Sequence, residues 1–443
     1  MTDIPRRTAS RTAKLASLPL GAAGRAAAGW GRRLAGGNGE EISAQMMARS
    51  AEQLFAVLGE LKGGAMKFGQ ALSVFEAAIP EEYAAPFRES LIKLQSAAPP
   101  MPPADVDRML AEQFGRGWRS RFTEFDPTPA AAASIGQVHR AVWRDGREVA
   151  VKVQYPGAEQ ALLSDLRQLS RMSRFMQPFM PGLEIKPLIA ELQNRMAEEL
   201  DYRDEAENQR AFAAAYEGDE RVKVPRVVAS APKAMVTEWV TGRRLSDIIT
   251  RGGQAERDHA ATQLAEFHYS AAERTGLLHA DPHPGNFQLL DDGRLMVIDF
   301  GAVARLPGGM PRPLSEMVRL ALEDRPADLL TLLRDEGFVR SGSGMTADEA
   351  MAYLAPFTEP LHTDTFRFDR AWLQKQAERV GDLRSPQFNT GRELNLPPQY
   401  LLVHRVTMGT IGVLCQLDAE VPLRGIVGHW QPWIFDAQAP SPG

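Results

Sequence analysis

Apolar residues recur three and four positions apart from Glu40 onward, through "EEISAQMMARSAEQLFAVLGELKGGAMKFGQALSVF", and this spacing predicts one long helix or two in succession. Gly59, Gly63, Gly64 and Gly69 interrupt it. Each costs a helix up to about 1 kcal/mol relative to alanine, so a close-packed neighbour is expected there. The prolines of "SAAPPMPPADVDRML" end that element, and a new helix starts over Pro103–Val106.

From Phe122 the period shortens to that of strands. "ASIGQVHRAVW", the turn "RDGR" and "EVAVKVQY" form two runs joined by Asp145-Gly146, a strong hairpin signal. Residues 157–216 return to helical spacing, and 222–240 give strands around "KAMVTEWV". The remainder is mainly helical, apart from a second hairpin, "NFQLL", "DDGR" and "LMVIDF", also turning at Asp-Gly. Thr346 and Glu349 before "AMAYL" form a capping-box pattern. There is no internal repeat. Four segments result: an arm (1–39), a helical extension (40–120), a small strand-containing lobe with inserted helices (121–240) and a larger, mainly helical lobe (241–443).

Composition narrows the function classes. The 443 residues are 44% hydrophobic and 24% charged, with 51 basic against 56 acidic side chains, a net charge of −5 that gives no reason to expect nucleic acid. The single cysteine, Cys415, rules out an intramolecular disulfide framework and reads as a buried, inert thiol in a reducing, cytoplasmic setting. No run of about 18 apolar residues is evident, so no membrane-spanning helix is expected. Residues 1–39 carry Arg6, Arg7, Arg11, Lys14, Arg25, Arg32 and Arg33 against Asp3 alone. That arm reads either as a flexible soluble tail or as a peripheral contact for an anionic membrane surface.

The chemistry concentrates in "GLLHADPHPGNFQLL", residues 276–290. His279 and His283 have the i, i+4 separation of a helical zinc site, but Pro282 and Pro284 forbid the helix. Asp281 and Asn286 instead match the H-x-D-x-x-x-x-N loop of phosphotransferases, one carboxylate near the attacking group and one amide on a metal. Asp299-Phe300-Gly301 follows at the end of an apolar strand, and the hairpin between them would bring Asn286 and Asp299 together as Mg²⁺ ligands. "VAVK" supplies Lys152 on a strand, the position of a phosphate-binding lysine. Its acidic partner is sought in "MAEELDYRDEAEN", where Glu198, Asp201 and Glu205 would share one helical face. Spacing alone does not choose among them.

Where a kinase has a glycine-rich loop, this chain has "AAASIGQVH", whose alanine methyls restrict backbone approach to phosphates. No Ala-Pro-Glu follows the Asp-Phe-Gly motif, so a peptide-binding activation segment is expected to be missing.

In order, "KFGQ" (Lys67–Gln70), "AAASIGQVH", "VAVK", "EELDYRDEAEN", "HADPHPGN" and "VIDFG" resemble the hallmark motifs of the UbiB (AarF) family of atypical kinases. The resemblance implies an α+β, bilobal protein-kinase-like fold with an N-terminal helical extension packed over the cleft. On it, Lys67 and Gln70 would reach toward Glu199 and Asp201, and Glu205 would pair with Lys152. Asp281 would take the catalytic position, with Asn286 and Asp299 on Mg²⁺. Ala131, Ala132, Ala133, Ser134, Ile135, Gly136, Val138, Ala150, Lys152, Glu238 and Val240 would line the site for ATP or ADP. The function implied is ATPase or small-molecule phosphotransfer supporting isoprenoid-quinone biosynthesis or lipid homeostasis. Its partners would be a lipid or quinone precursor and quinone-biosynthesis proteins, and it would not phosphorylate proteins in trans. Ala280 stands where H-R-D has arginine. A small-molecule kinase of the aminoglycoside or choline type, and a non-catalytic nucleotide-gated binding protein, are the alternatives.

Overall fold

The structure is a computed structural model that describes residues 100–133, 135–158, 200–340, 342–381 and 395–438. Lys67, Gln70, Ser134, Glu198 and Glu199, the basic arm and the helical extension before residue 100 lie outside them.

Helix α1 (Pro103–Phe114) opens with proline in its first turn, where no backbone donor is lost. Strands β1 (Phe122–Ala133), β2 (Gly136–Trp143) and β3 (Glu148–Gln154) follow. Next come α2 (Tyr202–Ala215), the short β4 (Val222–Lys223), β5 (Val227–Ala231) and β6 (Ala234–Glu238). The first sheet is antiparallel in the order β1-β2-β3-β6-β5. Strand β1 lies at its edge, and Pro129 falls at its register shifts, where a residue without an N–H does least harm. Gly146 takes φ +88° in the turn between β2 and β3, the left-handed conformation the Asp-Gly pair favours.

Side-chain alternation in β3 sets the geometry of the cleft. Val149, Val151 and Val153 are fully buried against Val106, Leu110 and Trp118, so α1 covers one face of the sheet. Ala150 and Lys152 therefore project from the opposite face.

The second lobe begins with β7 (Arg243–Arg244), α3 (Leu245–Arg251) and the long α4 (Gln254–Thr275), which stops at Gly276 with φ +65°. Strands β8 (Leu277–His279), β9 (Phe287–Leu289), β10 (Leu295–Val297) and β11 (Val303–Arg305) carry the motif loops. Helices α5 (Arg312–Leu322), α6 (Pro326–Asp335) and α7 (Ala347–Thr358) come next. The chain continues through β12 (Phe366–Phe368), α8 (Arg370–Gly381), α9 (Pro398–Leu417), β13 (Ala419–Val421) and α10 (Leu423–Trp430). The Thr346/Glu349 capping box at α7 is formed in both directions. Strands β4, β10, β9 and β7 share a sheet in which β4 runs parallel to β10. Thus the strand after α2 ties the first lobe's chain into the second. Phe212 of α2 completes that tie by packing, with its ring tilted, against Phe267 and Phe300.

Two expectations need correction. Asp201 is not on a continuous helix with Glu205: its backbone is extended, and its side chain caps the N-terminus of α2 by accepting from the Arg203 N–H at 2.9 Å. A short aspartate that bonds local backbone competes with continued helix, so the acidic stripe is broken there. Pro398–Leu417 does have the length and apolar composition of a membrane-spanning helix, although most of it is buried inside the protein. Packing of Val406, Ile411, Val413, Leu414 and Cys415 in the interior accounts for its apolar composition.

Candidate active site

Lys152 is the hinge of the site. Its Nζ donates to both carboxylate oxygens of Glu205, at 2.7 and 2.8 Å, and lies 3.6 Å from Asp299 Oδ2. It also sits 4.9 Å from the centre of the Tyr202 ring. Burial works against the ammonium, but the Asp299 and Glu205 carboxylates outweigh it and hold Lys152 above its ordinary pKa. The lysine therefore stays charged throughout the physiological range. Glu205, only 3% exposed, sits one turn into α2, the turn that the Asp201 cap initiates.

The second hairpin joins the two motif loops. Val297 pairs with Phe287, and the Ile298 N–H bonds to the Asn286 carbonyl at 3.0 Å, so Asn286 and Asp299 flank the same end of β9 and β10. Asn286 Nδ2 donates to the Asp281 carbonyl at 3.1 Å, which commits the amide's nitrogen end to the protein and leaves its oxygen as the end suited to a cation. Asp299 Oδ1 accepts from the Gly301 N–H at 3.0 Å. Carboxylate and amide oxygens are the hard donors Mg²⁺ takes, so this set fits such an ion. The two histidines are bonded to backbone instead: His279 Nε2 donates to the Asp299 carbonyl at 2.6 Å, and His283 Nδ1 accepts from the Gly285 N–H at 3.0 Å.

The Ala-rich segment is less of a loop than its composition suggests. Ala131, Ala132 and Ala133 continue β1, paired with Val138, Gln137 and Gly136. Gly136 is required by contact, since a Cβ there would lie 2.2 Å from the Val153 carbonyl oxygen. Val138 pairs with Lys152 across β2 and β3, while Ile135 packs in a buried cluster with Tyr202, Ala206 and Met235. Glu238 ends β6, ion-paired at 3.8 Å with Lys223, and Val240 follows in the link to the second lobe. Asp201 makes a forked pair with Arg203, whose hydrogen bonds hold its carboxyl below the usual range.

Several supporting residues lie outside the candidate set that the sequence motifs supply. Gln137 Oε1 accepts from the Met101 N–H at 2.7 Å, while its amide nitrogen donates to His139 Nε2 at 2.8 Å and His139 Nδ1 donates to the Asp126 carbonyl at 2.8 Å. This buried chain fastens the segment entering α1 to the strand beside the Ala-rich turn. Burial opposes protonation of His139 and lowers its pKa, in keeping with a ring that accepts through one nitrogen. Asn208 Nδ2 donates to the Phe300 carbonyl at 3.1 Å, and Phe300 is fully buried against Phe212 and His279. The signal for Gln137 and His139 was a polar residue at alternate positions of a strand that must be half-buried.

Beyond Gly301 the chain is held closely. Val303, Ala304 and Arg305 pair with His279, Leu278 and Leu277, Leu306 N–H bonds to the Gly276 carbonyl at 2.7 Å, and Met310 N–H bonds to Glu273 Oε1 at 2.9 Å. Helix α5 starts two residues later, at Arg312. Within 302–311 there is no long free segment of the sort that docks peptides in protein kinases.

A family model of the ABC1 atypical kinase-like domain matches residues 93–328. Protein slr1919 of Synechocystis is 34% identical over 317 residues, covering 70% of this chain and 52% of its own. The atypical kinase coq-8, mitochondrial, of Caenorhabditis elegans is 30% identical over 68% of this chain and 41% of its own. The chain thus spans about half the length of such curated relatives. A solved structure, the Rv3197–erythromycin complex from Mycobacterium tuberculosis, is 47% identical, covers 88% of this chain and 98% of that one, and superposes with a TM-score of 0.68. With its lysine, glutamate and Asp-Phe-Gly motif in one cleft and a family match over more than half its length, the chain belongs to the ABC1 (UbiB/AarF) family of atypical kinases.

Proposed function

We propose that this chain binds Mg-ATP in the cleft between its lobes and acts as an ATPase or small-molecule phosphotransferase supporting quinone or lipid metabolism, not as a protein kinase in trans. The observation that carries the reading is the contact of Lys152 with Glu205 at 2.7 Å and with Asp299 at 3.6 Å, beside the loop of Asp281 and Asn286.

In this reading Lys152, oriented by Glu205, binds the phosphates, and the strand ends at Ala131–Ala133, Gly136, Val138 and Ala150 with Glu238 and Val240 enclose the nucleotide. Asn286 and Asp299 would hold Mg²⁺, which supplies charge neutralisation on the phosphoryl oxygens. Asp281 orients the attacking hydroxyl or water and receives its proton. The closely held residues 302–311 support exclusion of peptides, and Lys67 and Gln70 of the extension, with Glu199 and Asp201, would close the same side. The arginines of residues 1–39 would provide peripheral contact with an anionic inner membrane face.

The test is phosphate release from Mg-ATP by the full chain, with and without anionic liposomes, and with Asp299→Asn as control. Turnover that depends on Asp299 supports the reading. Equal rates in wild type and variant would overturn it.

A second reading has a bulky soluble molecule as the ligand of the nucleotide-bound protein. It is favoured by the Rv3197 relative, whose structure is an erythromycin complex, at 47% identity. Calorimetric titration of erythromycin into the protein with Mg-ADP tests it: saturable binding favours this reading, and flat heats remove it.

A further inference from the structure

With alanine at position 280, the catalytic loop must be steadied by contacts other than a side chain there. Three successive peptide groups surround Asp281, and each is held from a different part of the fold. The Ala280 N–H donates to the Ala302 carbonyl at 2.9 Å, the Ala280 carbonyl accepts from Arg405 Nη2 at 3.3 Å, and the Asp281 carbonyl accepts from Asn286 Nδ2 at 3.1 Å. Since a peptide group is planar, fixing the Ala280 carbonyl also fixes the plane that carries the Asp281 N–H.

Arg405 reaches this point from helix α9, 125 residues further along the chain. Among the twenty residues of that helix it is the one Asp, Glu, Lys or Arg. Val403 and Val406, on either side of it in sequence, are buried with Ala280, Ala302 and Ala304 in one apolar cluster. The small Ala280 lets the helix approach, and the approaching helix brings a guanidinium to the Ala280 carbonyl. Arg405 is half-buried in this otherwise uncharged helix, and the bond to a backbone carbonyl replaces part of the hydration it loses.

We propose that Arg405 is a positioning residue for Asp281: its bond to the Ala280 carbonyl holds the catalytic loop in register with the metal-binding amide of Asn286. Its bond is to loop backbone, and the inference rests on the Mg-ATP reading of the cleft. Displacement of a reacting group by about 1 Å can cost roughly 100-fold in rate, so Arg405→Ala is expected to lower kcat for Mg-ATP turnover about 10- to 100-fold. KM and nucleotide affinity should stay within about twofold, because Lys152 and Asp299 are untouched. Arg405→Lys, which keeps a cationic donor on a long stem, should recover part of the loss.

The experiment is steady-state kinetics of wild type, Arg405→Ala and Arg405→Lys in the full chain, with thermal midpoints measured alongside. A selective fall in kcat with recovery by lysine supports the proposal. Unchanged kcat overturns it, and so does a fall in kcat, affinity and thermal midpoint together without recovery by lysine, which would mark a packing role. If wild type shows no Asp299-dependent turnover, the functional reading fails on its own account, and amide hydrogen exchange decides the inference. Faster exchange over 280–286 in Arg405→Ala, with 207–215 unchanged, supports it; unchanged exchange over 280–286 overturns it.

Discussion

Glu205→Gln isolates the charge that anchors Lys152. The side chains are nearly isosteric, so the substitution leaves little cavity and removes chiefly the carboxylate. With an effective dielectric constant of about 20, Coulomb's law gives roughly 6 kcal/mol for the 2.7 Å contact to Glu205 and roughly 5 kcal/mol for the 3.6 Å contact to Asp299. These are gross attractions, offset in large part by the desolvation of three charged groups. Breaking a buried pair from one side costs about 3–5 kcal/mol, and because Asp299 and the Tyr202 ring still face the ammonium, the loss should lie near 3 kcal/mol. Urea unfolding of the full chain would measure it, within a double-mutant cycle with Lys152→Met. The two changes should be coupled by about 2 kcal/mol or more, since in the double variant no ammonium remains to miss the Glu205 carboxylate. Nucleotide affinity should also fall in Glu205→Gln, as Lys152 draws toward Asp299. A loss under about 0.5 kcal/mol, or additive single effects, would refute the view that this ion pair organises the cleft.

Burial lowers His268 to a pKa of about 4, with His279 adding a smaller repulsion, so the ring is neutral in the fold. A folded pKa below the unfolded value of about 6.5 means the unfolded chain binds the extra proton first. Stability should be constant above about pH 6.5 and fall by about 3 kcal/mol as pH drops toward 4, a slope that His268→Gln should flatten. Gly136→Ala sets a Cβ 2.2 Å from backbone oxygen and should cost about 3 kcal/mol by forcing β2 and β3 apart; unchanged urea unfolding would contradict the close approach. Thr346→Ala removes one half of the α7 capping box and should cost about 1 kcal/mol by the same measurement.

Much of the site could be read from spacing because its residues sit at the ends of strands whose pattern is regular. The Asp-Gly turns fixed both hairpins, and the second hairpin brought Asn286 beside Asp299 as the pattern implies. Lys152 was legible because the valines on either side of it alternate inward. Less legible were contacts made by polar residues from distant segments, such as Gln137 to Met101 or Arg405 to Ala280, for which no local period exists. Strands β7, β8, β11, β12 and β13 were also missed, being only two or three residues long, too short for alternation to register. Asp201 and Glu205 do not share a helical face for a local reason: Asp201 accepts from the Arg203 N–H as the extended N-cap of α2.

The most direct test of the central claim is calorimetric titration of ATP into the full chain, with Mg²⁺ present or chelated, for wild type and Asp299→Asn. The Lys152, Asn286 and Asp299 arrangement predicts saturable binding by wild type that weakens at least about tenfold when Mg²⁺ is removed or when Asp299 is replaced. Binding that is equally tight in all four conditions would contradict a metal-nucleotide site in this cleft.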